Sequence, residues 1–382
     1  MTTSIAIATF ALLLLGATLA HAQGIEWSQR GYVEAIATGF NVNRSAKANP
    51  DNALALPPSD AALQADYTLN AQAGRFKALL EAYGRTSRRH DDQTLRANQL
   101  YASVASDDER WYFRVGKLVP NWGVGNIWNP VRSITNEARR DLVFPNQSVE
   151  GIDVAQMQVT LDADSSLSLL ALPHESDRPA GLALRYSSAI GNFDYALSAY
   201  GDSKSTKRLG TELSWVLGPA TFVGEAAWSS RSTAERVLPD GSREQRPGST
   251  FSYVIGSNVT LPRDYQFTAE YFHDGDGFSR QEFRSWTSTL PANLDLYNPL
   301  GNGRDNLYLG LQRRFLKNDS TLGVSLFHNL QSEVTAVQLH AETQLAPHAR
   351  LIVTLSRYLE PAGGSQVNLY RSSLDVRLRA SF

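Results

Sequence analysis

The sequence predicts an all-β chain folded as a transmembrane, antiparallel up-and-down barrel of about eighteen strands (16–18). Three observations carry that prediction. Apolar and polar residues alternate with period two along almost the whole chain. Beyond a short leader, no uninterrupted hydrophobic run exceeds four residues, far fewer than the roughly 20 of a membrane helix. The connections between alternating segments are themselves alternately short and long. Composition excludes other classes. With 36 basic against 38 acidic residues the net charge is −2, which leaves no basic footprint for nucleic acid. The 382 residues include no cysteine, so there is no disulfide framework, thiol nucleophile or cysteine-held metal.

At the N-terminus, Ile5 to Leu15 is apolar apart from Thr9 and is followed by Gly16 and Ala20-His21-Ala22. An apolar core before an A-x-A site predicts a cleaved secretory signal peptide over 1–22. No Lys or Arg precedes the core, so the amino terminus supplies its only positive charge. Residues 23–382 are then a single barrel domain.

Strands are expected at 29–41, 60–72, 75–87, 93–106, 109–118, 150–162, 165–173, 179–190 and 192–201. Nine more follow at 207–217, 220–230, 250–261, 264–274, 304–316, 320–330, 332–345, 348–359 and 367–382. The last is the clearest: Leu374, Val376, Leu378, Ala380 and Phe382 alternate with Ser373, Asp375, Arg377, Arg379 and Ser381. Elsewhere Leu209, Thr211, Leu213 and Trp215 alternate with Arg208, Gly210, Glu212 and Ser214, and Tyr265, Phe267, Ala269 and Tyr271 with Gln266, Thr268 and Glu270. No segment shows helical periodicity. Short turns such as Ala73-Gly74, Gly218-Pro219 and Ala346-Pro347 interleave with long connections at 42–59, 119–149, 231–249 and 275–303. An outer-membrane barrel segregates loop length in this way, with short periplasmic turns and long extracellular loops.

The apolar face is expected to meet lipid and the polar face to line the lumen. Trp215, Trp228, Phe193, Tyr195, Tyr265 and Tyr271 fit interfacial girdles. Arg313 and Arg357 have lipid-facing parity near strand ends, where a charge can snorkel. The pattern does not fix the facing of the first strand. Inward parity assigns Arg114, Arg185, Arg208, Arg314, Arg350, Arg371 and Arg377 to the lumen wall, against Glu81, Glu212, Glu225, Glu270, Glu342 and Asp375. Arginine outnumbers lysine 30 to 6, which suits anionic groups; a GC-rich genome would produce the same bias without selection.

The chain end and one loop also carry a resemblance. Leu378, Ala380 and Phe382 resemble the terminal strand of bacterial outer-membrane porins, which implies a signal read by the barrel-assembly machinery. Gly116-Lys117, Asn121-Trp122-Gly123 and Asn129-Pro130 resemble a segment of eighteen-stranded barrels near the alginate-exporter type. The resemblance implies a Gram-negative outer-membrane location among lipid and lipopolysaccharide, as a homotrimer or a monomer. It also implies that the 119–149 connection folds inward as a constriction loop, presenting Trp122, Trp128, Arg132, Glu137, Arg139, Arg140 and Asp141. Opposed charges there would select permeants by field and size; otherwise they pair with each other and only hydrate the lumen.

Two motifs suggest other chemistry. His273-Asp274-Gly275-Asp276-Gly277 enters an outer loop and offers an Asp/His pair or calcium ligands, but no closing Glu completes a calcium loop. His328-Asn329 has lipid-facing parity near the outer rim and resembles barrel phospholipases, but those need a Ser nucleophile on the neighbouring strand, and Ser332 is near only through the hairpin. Neither is supported elsewhere in the chain, so the expectation is a channel without catalysis, cofactor or metal. It would pass small hydrophilic solutes, anionic ones if the arginine excess was selected. The alternatives are an export conduit for a polysaccharide or lipid-derived product, and a sealed barrel for adhesion or assembly.

Overall fold

The computed structural model describes residues 24–88, 93–135, 149–175, 179–232, 234–290, 292–293, 296, 298, 300–315, 319–360 and 367–382. The leader expected over 1–22 lies outside them.

The strands are β1 Glu26–Val42, β2 Ser59–Ala73, β3 Phe76–Ser87, β4 Thr94–Ala105, β5 Trp111–Leu118, β6 Ile152–Thr160 and β7 Ser165–Leu172. Then come β8 Gly181–Ile190, β9 Phe193–Asp202, β10 Lys207–Leu217, β11 Ala220–Ser229, β12 Glu235–Val237, β13 Arg243–Gln245 and β14 Thr250–Leu261. The series ends with β15 Tyr265–His273, β16 Asp305–Phe315, β17 Ser320–Asn329, β18 Thr335–Ala346, β19 Ala349–Leu359 and β20 Tyr370–Ser381. Eighteen of them form one sheet, each antiparallel to its neighbours in sequence. β1 also pairs with β20, which closes the barrel. β12 and β13 form a separate hairpin within the predicted 231–249 loop.

Alternation sets the two faces. Rows such as Leu182 and Leu184, Leu209, Leu213 and Trp215, and Leu374 and Leu378 stay exposed, and polar partners on the other face are buried. An exposed apolar belt around a closed sheet suits lipid, because every strand's backbone bonds are satisfied by its neighbours. Arg313 has this outward facing and lies over the rings of Tyr265 (5.1 Å) and Phe315 (4.7 Å). On β1 the inward row is Tyr32, Glu34, Ile36 and Thr38, and the outward row is Val33, Ala35 and Ala37.

Three features depart from the period-two pattern. In β4, the ladder to β3 shifts between Glu81 and Ala82, so Asn98 is an extra residue and facing reverses across it. In the 275–303 connection a helix, α1 (Arg280–Ser288), forms where no helical periodicity was expected. It is nucleated by a capping box: the Ser279 side chain accepts from the Glu282 amide and the Glu282 carboxylate from the Ser279 amide. The third correction concerns the lumen. The inward faces of β5–β8 are not polar throughout, for Leu118, Ile152, Val154, Leu170, Leu172 and Ala183 form a buried cluster with Trp122 and Val131. They are apolar because the 119–132 segment packs on them, so that wall is a core and not a wetted surface.

Candidate functional site

The 119–132 segment runs inside the barrel, and its local sequence explains how. Asn129 links the two halves of the turn. Its Nδ2 donates to the Trp122 carbonyl (2.9 Å), and its Oδ1 accepts from the Arg132 amide (3.1 Å). With Pro130 at the first position, Asn129 caps the 3-10 turn Pro130–Thr135. Gly123 sits at φ +97, and a Cβ on Gly125 would collide with the Trp128 carbonyl. The Asn-Trp-Gly…Asn-Pro residues are thus a folding unit for a tight inward turn.

Three wall carboxylates hold that turn. Glu212 on β10 accepts from the Gly123 amide (3.0 Å). Glu225 on β11 accepts from Val124 and Gly125 (both 2.5 Å) and from Val131 (3.2 Å). Glu270 on β15 accepts from the amides of Asn126 (2.5 Å), Ile127 (2.9 Å) and Trp128 (3.2 Å), and from Asn126 Nδ2 (2.8 Å). All three glutamates are almost fully buried. Backbone N–H groups converging on one carboxylate satisfy the lone pairs that burial would otherwise leave bare. Glu212 also receives Arg185 through two parallel bonds of 2.8 Å.

Trp128 anchors the far end. It stacks on Phe272 (5.6 Å between centroids, 17°) and meets Phe327 edge-on (6.4 Å). Around it, Val254, Phe278, Phe283, Trp286 and Val334 complete a core inside the outer mouth. α1 reaches this core with Phe283 and Trp286. The β12–β13 hairpin braces the same loop through Arg246, which donates to Glu282 (2.9 Å) and to the Gly275 and Gly277 carbonyls (both 3.0 Å). Burial opposes ionisation of Glu282, but the Ser279 amide and hydroxyl and the Arg246 and Arg304 guanidinium groups outweigh it. Its carboxyl is held below the ordinary glutamate range.

The wall from β16 round to β4 carries opposed charges. Arg314 donates to Asp319 (2.9 Å), and Arg350 bridges Asp319 and Glu342. Arg377 pairs with Asp375, which also accepts from Thr38 (2.9 Å). Arg379 donates to Glu34 across the β1–β20 seam (2.8 Å), with Arg377 3.6 Å from the same carboxylate. From there a row continues: Arg379 lies 4.3 Å over Tyr32, Gln64 joins the hydroxyls of Tyr32 (3.2 Å) and Tyr83 (3.3 Å), and Arg96 lies 5.0 Å over Tyr83. Arg96 also pairs with Glu150 (3.3 Å).

The wall residues named from parity alternate along their strands with the exposed apolar rows, except that Arg371 is itself exposed where the β1–β20 ladder is irregular. Arg114 alternates with exposed Phe113 and Val115; Arg208 is buried 5.3 Å over Tyr200; Arg371 donates to Asn43 near the outer rim. The structure brings Arg185 to Glu212, Arg350 to Glu342 and Arg377 to Asp375. It gives Glu212, Glu225 and Glu270 a different setting from that expected, since they bind the turn's backbone instead of facing solute. Trp122, Trp128 and Arg132 lie in the inward segment, whereas Glu137, Arg139, Arg140 and Asp141 lie outside the described residues. Sequence reasoning missed Tyr32, Glu34, Gln64, Tyr83, Arg96 and Arg379. Arg379 shares the parity of Arg377 and was legible; Arg96 precedes the Asn98 bulge, and Tyr32 and Glu34 lie on the strand whose facing was open.

Leu378, Ala380 and Phe382 face outward, and Phe382 exchanges two backbone bonds of 3.0 Å with Gly31 beside Tyr67. His273 Nδ1 meets Asp305 (2.8 Å), while Asp274 accepts from the Asp276 amide and Asp276 from the Ser232 hydroxyl. His328 Nδ1 meets Thr335 (2.9 Å), and the Ser332 hydroxyl accepts from the Val334 amide. Among the described residues no group of three or more His, Asp or Glu is placed to hold a metal ion.

No protein-family profile matches the chain, and no curated protein matches it. Known structures do. Acinetobacter baumannii OccAB1 superposes with a TM-score of 0.55 at 10% identity, covering 95% of this chain and 98% of that one. Pseudomonas aeruginosa OpdQ gives 0.53 at 10% identity over 93% and 98%. Pseudomonas aeruginosa OccK11 (OpdR) gives 0.51 at 12% identity over 94% and 96%. The closed eighteen-stranded sheet and its likeness to these barrels give this chain the fold of the Gram-negative outer-membrane porins.

Proposed function

We propose that this barrel is a passive outer-membrane channel for small hydrophilic solutes, anionic ones preferred, with loop 119–149 narrowing its lumen. The observation that carries the reading is the inward turn at 123–131, clamped by Glu212, Glu225 and Glu270, inside a barrel whose other wall carries arginines. The clamp directs those three carboxylates at backbone amides. On the other wall Arg314, Arg350, Arg377, Arg379 and Arg96 each stand beside an acidic partner, while Arg371 donates to Asn43 and Ser45. A passing anion can exchange with such a carboxylate without leaving any arginine bare, so both signs along the wall favour diffusion over tight retention. A polyanion exporter would instead call for a run of uncompensated arginines. Outer-membrane lipid, lipopolysaccharide and the barrel-assembly machinery are the partners this site in the cell requires.

Planar-bilayer recording of the refolded barrel tests the proposal. Steady ohmic steps and an anion-selective reversal potential in a salt gradient are expected, and charge reversal at Arg139 and Arg140 is expected to shift that potential toward cations. A silent membrane, with folding verified by heat-modifiable migration, would refute the open channel.

A further inference from the structure

Among the described residues one histidine stands on the charged wall, and the channel reading gives it no part. His340 lies on β18 between Leu339 and Ala341, which are both exposed on the opposite face. Ala336 shares the His340 face and belongs to the core around Trp128, so this is the face that the inward segment meets. Four residues separate the two, about 13 Å along a strand, and His340 is the one nearer the short Ala346-Pro347 turn. A third of its side-chain surface (33%) stays open. The other histidines are placed differently. His273 and His328 follow Phe272 and Phe327, which meet Trp128, and so point the other way. His174 and His348 lie outside the strands.

The charges around the ring are matched to one another. Its Nδ1 meets the Thr354 hydroxyl on β19 (3.2 Å), and its Nε2 lies 3.9 Å from Glu342 on its own strand. The charged groups of the neighbouring strands are Arg314 on β16, Arg350 on β19, and Asp375 and Arg377 on β20, while β17 contributes only Thr321, Gly323 and Ser325. Arg314, Arg350, Arg377 and Arg379 stand against Asp319, Glu342, Asp375 and Glu34. With four of each sign, this stretch of wall is neutral while His340 is neutral. A protonated His340 adds a positive charge without a counter-charge of its own, because Arg350 already holds Glu342.

We propose that His340 is the residue that sets how strongly the channel prefers anions, weakly while its ring is neutral and more strongly once the ring carries a proton. The inference rests on the channel reading above. Imidazole is the side chain whose charge ordinarily changes between about pH 5 and pH 8. The arginines keep their charge throughout that range. Ion preference therefore follows acidity through one side chain, by the field it adds to the wall and without any movement of the fold.

Reversal potentials in a potassium chloride gradient test this on the refolded barrel at about pH 8 and about pH 5, in the wild type, His340→Gln and His340→Lys. Heat-modifiable migration verifies that each protein is folded. In the wild type the anion-to-cation permeability ratio is expected to rise about two- to sixfold on acidification, the effect of one unit charge met at about 4–8 Å in water. His340→Gln is expected to lose that rise, and His340→Lys to show the acid-form preference already at the higher pH. Steady currents whose ion preference shifts equally with pH in the wild type and His340→Gln would overturn this inference and leave the channel standing. A silent membrane with folded wild type would overturn both.

Discussion

Replacing Glu270 with Gln tests the carboxylate clamp most directly. Each Glu270 oxygen accepts two hydrogens: Oε1 from the amide and side chain of Asn126, and Oε2 from the amides of Ile127 and Trp128. Gln keeps the shape but turns one oxygen into an NH2 group, so two of the four donors lose their acceptor. At about 1–3 kcal/mol for each buried donor left unpaired, the turn loses about 2–6 kcal/mol of anchoring. Each 1.4 kcal/mol is tenfold in an equilibrium, so local opening should rise by at least about 30-fold. Hydrogen exchange of the 123–131 amides reads this opening, because exchange there reports the free energy of local unfolding. The expected result is strong protection in the wild type and at least about 30-fold faster exchange in Glu270→Gln, with strand amides unchanged. Bilayer recordings should show added current noise as the turn moves. Equal exchange rates in both proteins, with the variant fully folded, would refute the claim that Glu270 fixes the turn.

Other perturbations have outcomes of known sign. Glu34→Ala leaves Arg377 and Arg379 without their shared partner at the β1–β20 seam, where breaking a buried pair costs about 3–5 kcal/mol. A lower unfolding midpoint in urea, read by heat-modifiable migration, checks it. Trp128→Ala removes the aromatic wedge between Phe272, Phe327 and α1, with an expected loss of about 3–5 kcal/mol of packing, visible as faster exchange in both the turn and α1. Because the folded-state value of Glu282 is depressed, its contribution to α1 docking is complete above the ordinary glutamate range, near pH 4.3, and is lost as pH falls through the lower folded value. Fluorescence of Trp286 should report undocking of α1 on acidification, and Glu282→Gln should abolish that pH dependence while weakening docking at neutral pH.

The sequence by itself determined the architecture and, apart from β1 and the bulged β4, the facing of the strands. Strict alternation allows one face to meet lipid and the other to remain polar only if the strands close on each other, so strand existence, number and parity were legible locally. Parity groups Arg185, Glu212, Glu225 and Glu270 on the face opposite the exposed apolar rows. It did not show that the last three meet amides of residues more than eighty positions away. Such pairings join a loop to strands far along the chain, and no period records them. The α1 capping box at Ser279 and Glu282 was present as a four-residue signal, but one nine-residue helix is too short to imprint helical periodicity on its surroundings. A single extra residue, Asn98, reversed the facing within β4 and hid Arg96. Tertiary structure alone decided that the inner faces of β5–β9 carry an apolar core under the 119–132 segment. An inward apolar residue and a lipid-facing one read alike in sequence, and only the position of the loop distinguishes Leu170, packed under Trp122, from Leu169, exposed on the outer face.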